Sequence, residues 1–209
     1  MTTRTSIAIA ALCGICVAGA SGAAAQAVRA LKIDPAASRL TIAVGKSGAF
    51  SFMAGHTHEV TGPIHGTLDV DDADLSRSRL EVEIAASALK VTEKGEPPGD
   101  AEKVQKVMLS EEVLDVAKHP AIAFHTTAIA VKSRQGSKAE LVASGELSLH
   151  GVTHPIAIPV HAEIGENAVT ATATFTVKQT DYGMKPVSVA GVVAVKDALA
   201  ITVALSARR

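Results

Sequence analysis

The chain has 209 residues, of which 47% are hydrophobic, 20% charged and 2% aromatic, and its formal charge is −1. That length suits one domain, the apolar content argues against disorder, and the balanced charge offers no basic face to nucleic acid. With four Phe, one Tyr and no Trp, the interior has to be built from Ala, Val, Ile and Leu.

The N-terminus reads as a secretory signal over residues 1–25, leaving 26–209 as a single domain. Arg4 supplies the positive start, Ile7 to Ala20 the apolar run, and Ala23-Ala24-Ala25 a small-residue cleavage site before Gln26. The run of about 14 residues is shorter than the roughly 20 needed to span a bilayer. Cleavage would remove Cys13 and Cys16, leaving no disulfide and no thiolate, and loss of Arg4 would move the net charge to −2. Leu12 and Ile15 stand where a lipoprotein signature needs a small residue. The expectation is an exported protein, periplasmic or, as the alternative, secreted.

From Leu31 onward the dominant period is two. Ile64, Leu68 and Val70 alternate with His65, Thr67 and Asp69, and Leu80, Val82 and Ile84 alternate with Arg79, Glu81 and Glu83. Glu81 and Glu83 are therefore the solvent face of a strand, not a catalytic dyad. One stretch departs from the pattern: Lys94 to Gly99 is a loop, and Asp100 is placed to N-cap a helix with Val104, Val107 and Met108 on one face. Ser110-Glu111-Glu112 is placed to start a second short helical turn before Pro120. Later, Val169, Ala171, Ala173, Phe175 and Val177 alternate with four threonines, and Leu199, Ile201, Val203 and Leu205 end the chain in the same way. The spacing predicts a mostly β fold: an antiparallel up-and-down barrel of about eight strands with one helical connection at about 100–115.

The inward positions include Phe124, Leu147, Leu149, Ile156, Ile158, Ala171, Ala173, Phe175 and Ile201. Few are large. A barrel of this size is either filled by side chains or holds one small ligand, and composition alone is compatible with both. Phe52 and Phe124 are read as lining such a space.

Several stretches carry a resemblance. Asp115-Val116-Ala117-Lys118-His119-Pro120-Ala121-Ile122-Ala123-Phe124 resembles an acidic-x-x-Lys-x-Pro-x-Ile-x-Phe stretch. Gly145 to Pro155 resembles a Gly-x-Leu-x-Leu-His-Gly-Val-Thr-x-Pro hairpin. Asp181-Tyr182-Gly183-Met184 resembles a late aromatic-Gly turn, and Ile33-Asp34-Pro35 with Ser38 an opening strand. In this order they are similar to the YceI-like family of exported, polyisoprenoid-binding proteins with a lipocalin-like barrel, over about residues 31–207. The resemblance implies an apolar tunnel with one end near the helix, holding a long-chain isoprenoid or other lipid for sequestration or transport. With the inward positions read from the alternation, such a tunnel is lined by Phe52, Phe124, Leu147, Leu149, Ile156, Ile158, Phe175 and Ile201. The chain departs from the family pattern in the stretch Phe50 to Glu59, which holds two histidines, and at Lys196-Asp197-Ala198 before the last strand.

His56 and His58 are two apart and share one face of a strand. One reading gives them a lipid head group at the tunnel mouth. The alternative makes them a metal- or haem-binding pair in a redox or stress protein. His65, His125 and His161 fall on outward positions, and His150 and His154 flank a turn. Lys178, Asp181 and Lys185 are placed near the late turn, where a pyrophosphate would be in reach. Nucleophile-elbow, phosphate-loop and zincin signatures are absent from the sequence, so no catalytic residue, metal or cofactor is expected. Transient membrane contact and a homodimer are both compatible with the sequence.

Overall fold

The computed structural model describes residues 28–47, 57–94, 97–189 and 193–209. The proposed signal, Phe52 and His56 lie outside the described residues. In chain order the strands are β1 (Arg29–Ile33), β2 (Arg39–Val44), β3 (Lys46–Ser47), β4 (His58–Gly62), β5 (His65–Val70), β6 (Arg79–Ala85) and β7 (Lys90–Val91). After the helix α1 (Asp100–Leu109) come β8 (Ala121–Gln135), β9 (Lys138–Leu149), β10 (Val152–Ile164), β11 (Ala168–Lys178), β12 (Ser188–Val189), β13 (Val193–Val195) and β14 (Ala198–Arg208).

Eleven of these strands make one antiparallel sheet that closes through β1 and β14. Three of its staves are bent, each in two segments. β1 and β2 both pair with β14, Ile33 opposite Ala207 and Leu40 opposite Val203. β5 and β4 both pair back onto that first stave, and β6 and β7 follow in turn. The result is the expected eight-stave, up-and-down barrel, with a single α-helix among the described residues.

The bends have local causes. At the first, Asp34 donates its backbone N–H to Ser206 O at 2.8 Å and its carboxylate accepts the Ala36 N–H at 3.0 Å, an Asx-type turn ahead of Ser38. At the second, Pro63 stands between β4 and β5 and has no N–H for a ladder. At Gly66 (φ 147°) the backbone crosses so close to Glu81 that a Cβ would lie 1.9 Å from its carbonyl oxygen.

The two ends of the barrel differ. One carries tight connections: Asp71 to Ser78, Gly136-Ser137 and Gly165 to Asn167. The other carries the long ones, including α1 and a small sheet of β12, β13 and β3, together with the short His150-Gly151 turn. Leu31, Val70, Leu75, Ala139, Val169 and Ala207 are buried at the tight end. There Arg29 grips Asp72, with Nη2 donating to Oδ1 at 2.7 Å, and Arg29 Nη1 also donates to Glu166 O at 2.8 Å.

One expectation around the helix needs correcting. Its N-cap is Gly99 in the left-handed region (φ 79°), not Asp100. Gly99 takes that conformation with open space where a Cβ would stand, so Asp100 enters as the first helical residue and pairs with Lys103 at 3.1 Å. The expected second turn is a single hydrogen-bonded one: Val113 N–H donates to Ser110 O at 3.2 Å and Ser110 Oγ accepts the Glu112 N–H at 3.2 Å, and the chain does not continue as helix. Ser110 ends α1, and Asp115, at φ 42°, folds the chain back by donating its N–H to Ser110 O at 2.8 Å.

Candidate functional site

Above the packed tight end the barrel is hollow. A cavity of about 680 Å³ opens toward the long connections, well within the roughly 300–1,000 Å³ of small-molecule sites. None of the residues buried at the tight end named above lines it. The filled and hollow alternatives left open by composition thus divide along the barrel axis.

The walls come from strand parity. β11 contributes Ala171, Ala173, Phe175 and Val177, while Thr170, Thr174 and Thr176 are exposed. β14 contributes Leu199, Ile201, Val203 and Leu205, and β2 Leu40, Ile42 and Val44. Of the residues expected to line a tunnel, Phe124, Leu147, Leu149, Ile158, Phe175 and Ile201 do so. Ile156 does not; it is half-buried against the core. It sits opposite Gly145, where the Phe124 ring already covers the glycine, 2.7 Å from where a Cβ would be. α1 lays Val104, Val107 and Met108 over the opening. It is held there by Gln105, whose Oε1 accepts the Val91 N–H at 2.7 Å and whose Nε2 donates to Leu89 O at 2.8 Å.

Polar groups gather at the mouth. Lys46, His58, Asp100, Lys103 and Gln179 all line the cavity, and each belongs to the end with the long connections. His58 is half-buried at the start of β4. The two lysines and Asp100 escaped the sequence reading although their spacing held the signal. Lys46 continues the Leu40, Ile42, Val44 parity, and Asp100, Lys103, Val104 and Val107 share one helical stripe. By contrast Lys178, Asp181 and Lys185 are exposed and do not line the cavity.

The motif residues brace the mouth. Lys118 Nζ reaches Asp115 at 2.7 Å, holding that carboxyl below its ordinary range, and Pro120 O accepts the Ala86 N–H at 2.8 Å. His150 (φ 52°) and Gly151 (φ 75°) form the β9–β10 turn, and the His119 ring lies over Gly151. His150 Nδ1 donates to Tyr182 O at 3.1 Å, and Tyr182, buried, meets the His154 ring edge-on at 5.4 Å. His65, His125 and His161 are exposed, as their parity predicts. Among the described residues no three His, Cys, Asp or Glu side chains are grouped to hold a metal, and no helix is long and apolar enough to cross a membrane.

A closed antiparallel barrel with a hollow apolar end under a helix defines the class: an up-and-down β-barrel with an apolar interior cavity. The YceI-like domain model matches residues 31–207, and the chain belongs to that family. It is similar to a UPF0312 protein of Shewanella denitrificans, 30% identical over 145 residues, covering 65% of this chain and 66% of that one. A UPF0312 protein of Pseudomonas savastanoi pv. phaseolicola is 38% identical over 93 residues, 44% of this chain and 42% of its own. The chain therefore spans less than two thirds of these relatives. Among solved structures, Burkholderia cenocepacia BcnA has a similar fold, with TM-score 0.62 at 16% identity, covering 83% of this chain and 98% of that one. The YCEI protein of Campylobacter jejuni follows at TM-score 0.52 and 14% identity, covering 70% and 81%.

Proposed function

We propose that the protein is an exported carrier or store for one long apolar chain, of the isoprenoid type or similar, which it holds without chemical change. The supporting observation is the distribution of charge in the cavity: aliphatic and Phe side chains with Thr172 along the barrel, and Lys46, His58, Asp100 and Lys103 only at the mouth. Each methylene moved from water into such walls contributes about 0.8 kcal/mol, so a long chain binds without polar contacts along its length. The mouth then takes the head group, donated to by Lys46, Lys103 and His58. The leader-like residues 1–25 support export to the periplasm, where a lipid in transit needs shielding from water.

Titration with a pyrene-labelled polyprenol tests the reading. Saturable uptake at one molecule per chain is expected, and failure to take it up would overturn the proposal. Fractionation that found the chain in the cytoplasm with residues 1–25 intact would contradict export.

A further inference from the structure

The barrel wall is not equally continuous all round. β9 and β10 pair from Leu149–Val152 to Lys138–Glu163, and β11 and β14 pair along the whole of β11. β10 and β11, in contrast, pair only from Ile164–Val169 to Val160–Ala173. Both strands run on toward the mouth, β10 through Val152–Pro159 and β11 through Thr174–Lys178, without further pairing.

The cause lies in the sequence. With His150 and Gly151 both at positive φ, the β9–β10 connection is a two-residue type I′ turn, so Leu149 and Val152 exchange both backbone bonds. Even-numbered residues of β10 then direct N–H and C=O toward β9, and odd-numbered ones toward β11. The strand's far end agrees: Ile164 N–H donates to Ser137 O at 2.7 Å on the β9 side, and Gly165 N–H to Ala168 O at 2.9 Å on the β11 side. Pro155 and Pro159 are both odd. Pro159 has no N–H for Thr174 and Pro155 none for Lys178, the residues the register would place opposite. The ladder stops where the first of these donors is missing. Farther up, β11 leads into the Thr180–Tyr182 turn, and Tyr182 wedges against His154 of β10.

We propose that this seam is a side portal through which the apolar tail of the ligand enters and leaves the cavity. The inference rests on the cavity being a lipid site. Parting the staves here breaks no further ladder bonds, whereas the β8–β9, β9–β10 and β11–β14 walls would have to break paired backbone groups, and the unpaired edge of β7 is covered by α1 through Gln105. The seam leads directly inward, because Ile158, Phe175 and Val177 beside it line the cavity. On the β10 side its outer flank is Pro155, Ala157 and Pro159, exposed and without a polar side chain, and on the β11 side it is Thr174, Thr176 and Lys178. A tail threading the mouth would instead have to pass Lys46, His58, Asp100 and Lys103 and displace their water. Head at the mouth and tail through the side, a single-chain lipid enters broadside instead of end-on.

The test compares release and uptake of the pyrene-labelled polyprenol by the wild type and by Pro155→Val/Pro159→Val, which restores both donors on the outer face. About tenfold slower release and slower uptake, with the equilibrium affinity held, are expected. Should the proline variant fail to fold, Ala157→Cys/Thr176→Cys compared oxidised and reduced in one preparation gives the same reading, since the register would place these residues opposite one another. Unchanged exchange across the sealed seam, with binding intact, would overturn the portal alone. No uptake by the wild type would overturn the cavity reading and the portal with it.

Discussion

The Phe124 ring lies directly on Gly145, its Cε2 and Cζ 2.7 Å from where a Cβ on that glycine would stand, while the His125 carbonyl oxygen would be 2.2 Å away. The two residues sit on neighbouring strands, Phe124 opposite Leu147 and Thr126 opposite Gly145. A phenyl ring of the cavity wall is thus seated by the absence of a side chain beside it. Gly145→Ala is expected to destabilise the protein by about 1–3 kcal/mol, the usual range for over-packing. Chemical denaturation reads the loss, and ligand capacity should fall with it because the ring is pushed into the lumen.

Gln105 is the polar link between α1 and the sheet edge at β7. Gln105→Leu leaves the Leu89 carbonyl and the Val91 N–H to find water, at a cost of about 1 kcal/mol. Deuterium exchange over Asp100–Leu109 should accelerate while β8 to β11 stay protected. Unchanged exchange in the helix would show that its apolar face, not the glutamine, holds it.

Arg29 and Asp72 brace the closed end. The guanidinium beside it lowers the Asp72 carboxyl below its ordinary value, chiefly by hydrogen bonding. Because the folded value is the lower one, this contribution is complete above the unfolded carboxylate value of about 3.9 and is lost as pH falls through the folded value. Asp72→Asn should therefore lower the thermal midpoint at neutral pH, by the equivalent of about 1 kcal/mol at this partly buried pair. The gap to wild type should close as the pH drops below about 4.

The mouth residues predict a dependence on head group. Replacing Lys46 and Lys103 by Met should weaken binding of a prenyl phosphate several-fold and leave the corresponding alcohol almost unaffected. The preference for the phosphate should shrink as salt is raised. Equal losses for the two ligands would assign the lysines' effect to packing of their stems.

Much of this barrel was legible as period-two alternation. The runs 169–177 and 199–205 placed their side chains in and out correctly, because a strand's parity survives any bending of the sheet. Phe124, Leu147, Leu149, Ile158, Phe175 and Ile201 were found in this way. Ile156 failed on the same rule, because parity reports the face but not whether a neighbouring ring already fills the space. The bent staves were hidden, since Pro63 and Asp34-Pro35 look alike whether they end a strand or kink it. The division into a packed and a hollow end needs three dimensions: Leu31 and Val203 have similar side chains, and only their height along the axis separates them. Pro155 and Pro159 had the seam written in them, but its meaning depends on knowing which strand each N–H would face.

The central claim is that the hollow end holds an apolar chain. Native mass spectrometry of the protein purified from its own cell envelope, alongside Ala173→Phe, tests it most directly, because Ala173 lines the cavity and a ring there fills it. The account predicts a wild-type species heavier by one lipid-sized molecule that is lost on organic extraction, and little or none of it in the variant. An empty wild-type barrel that also stays empty when incubated with polyprenol, or a mass unchanged by filling the cavity, would contradict it.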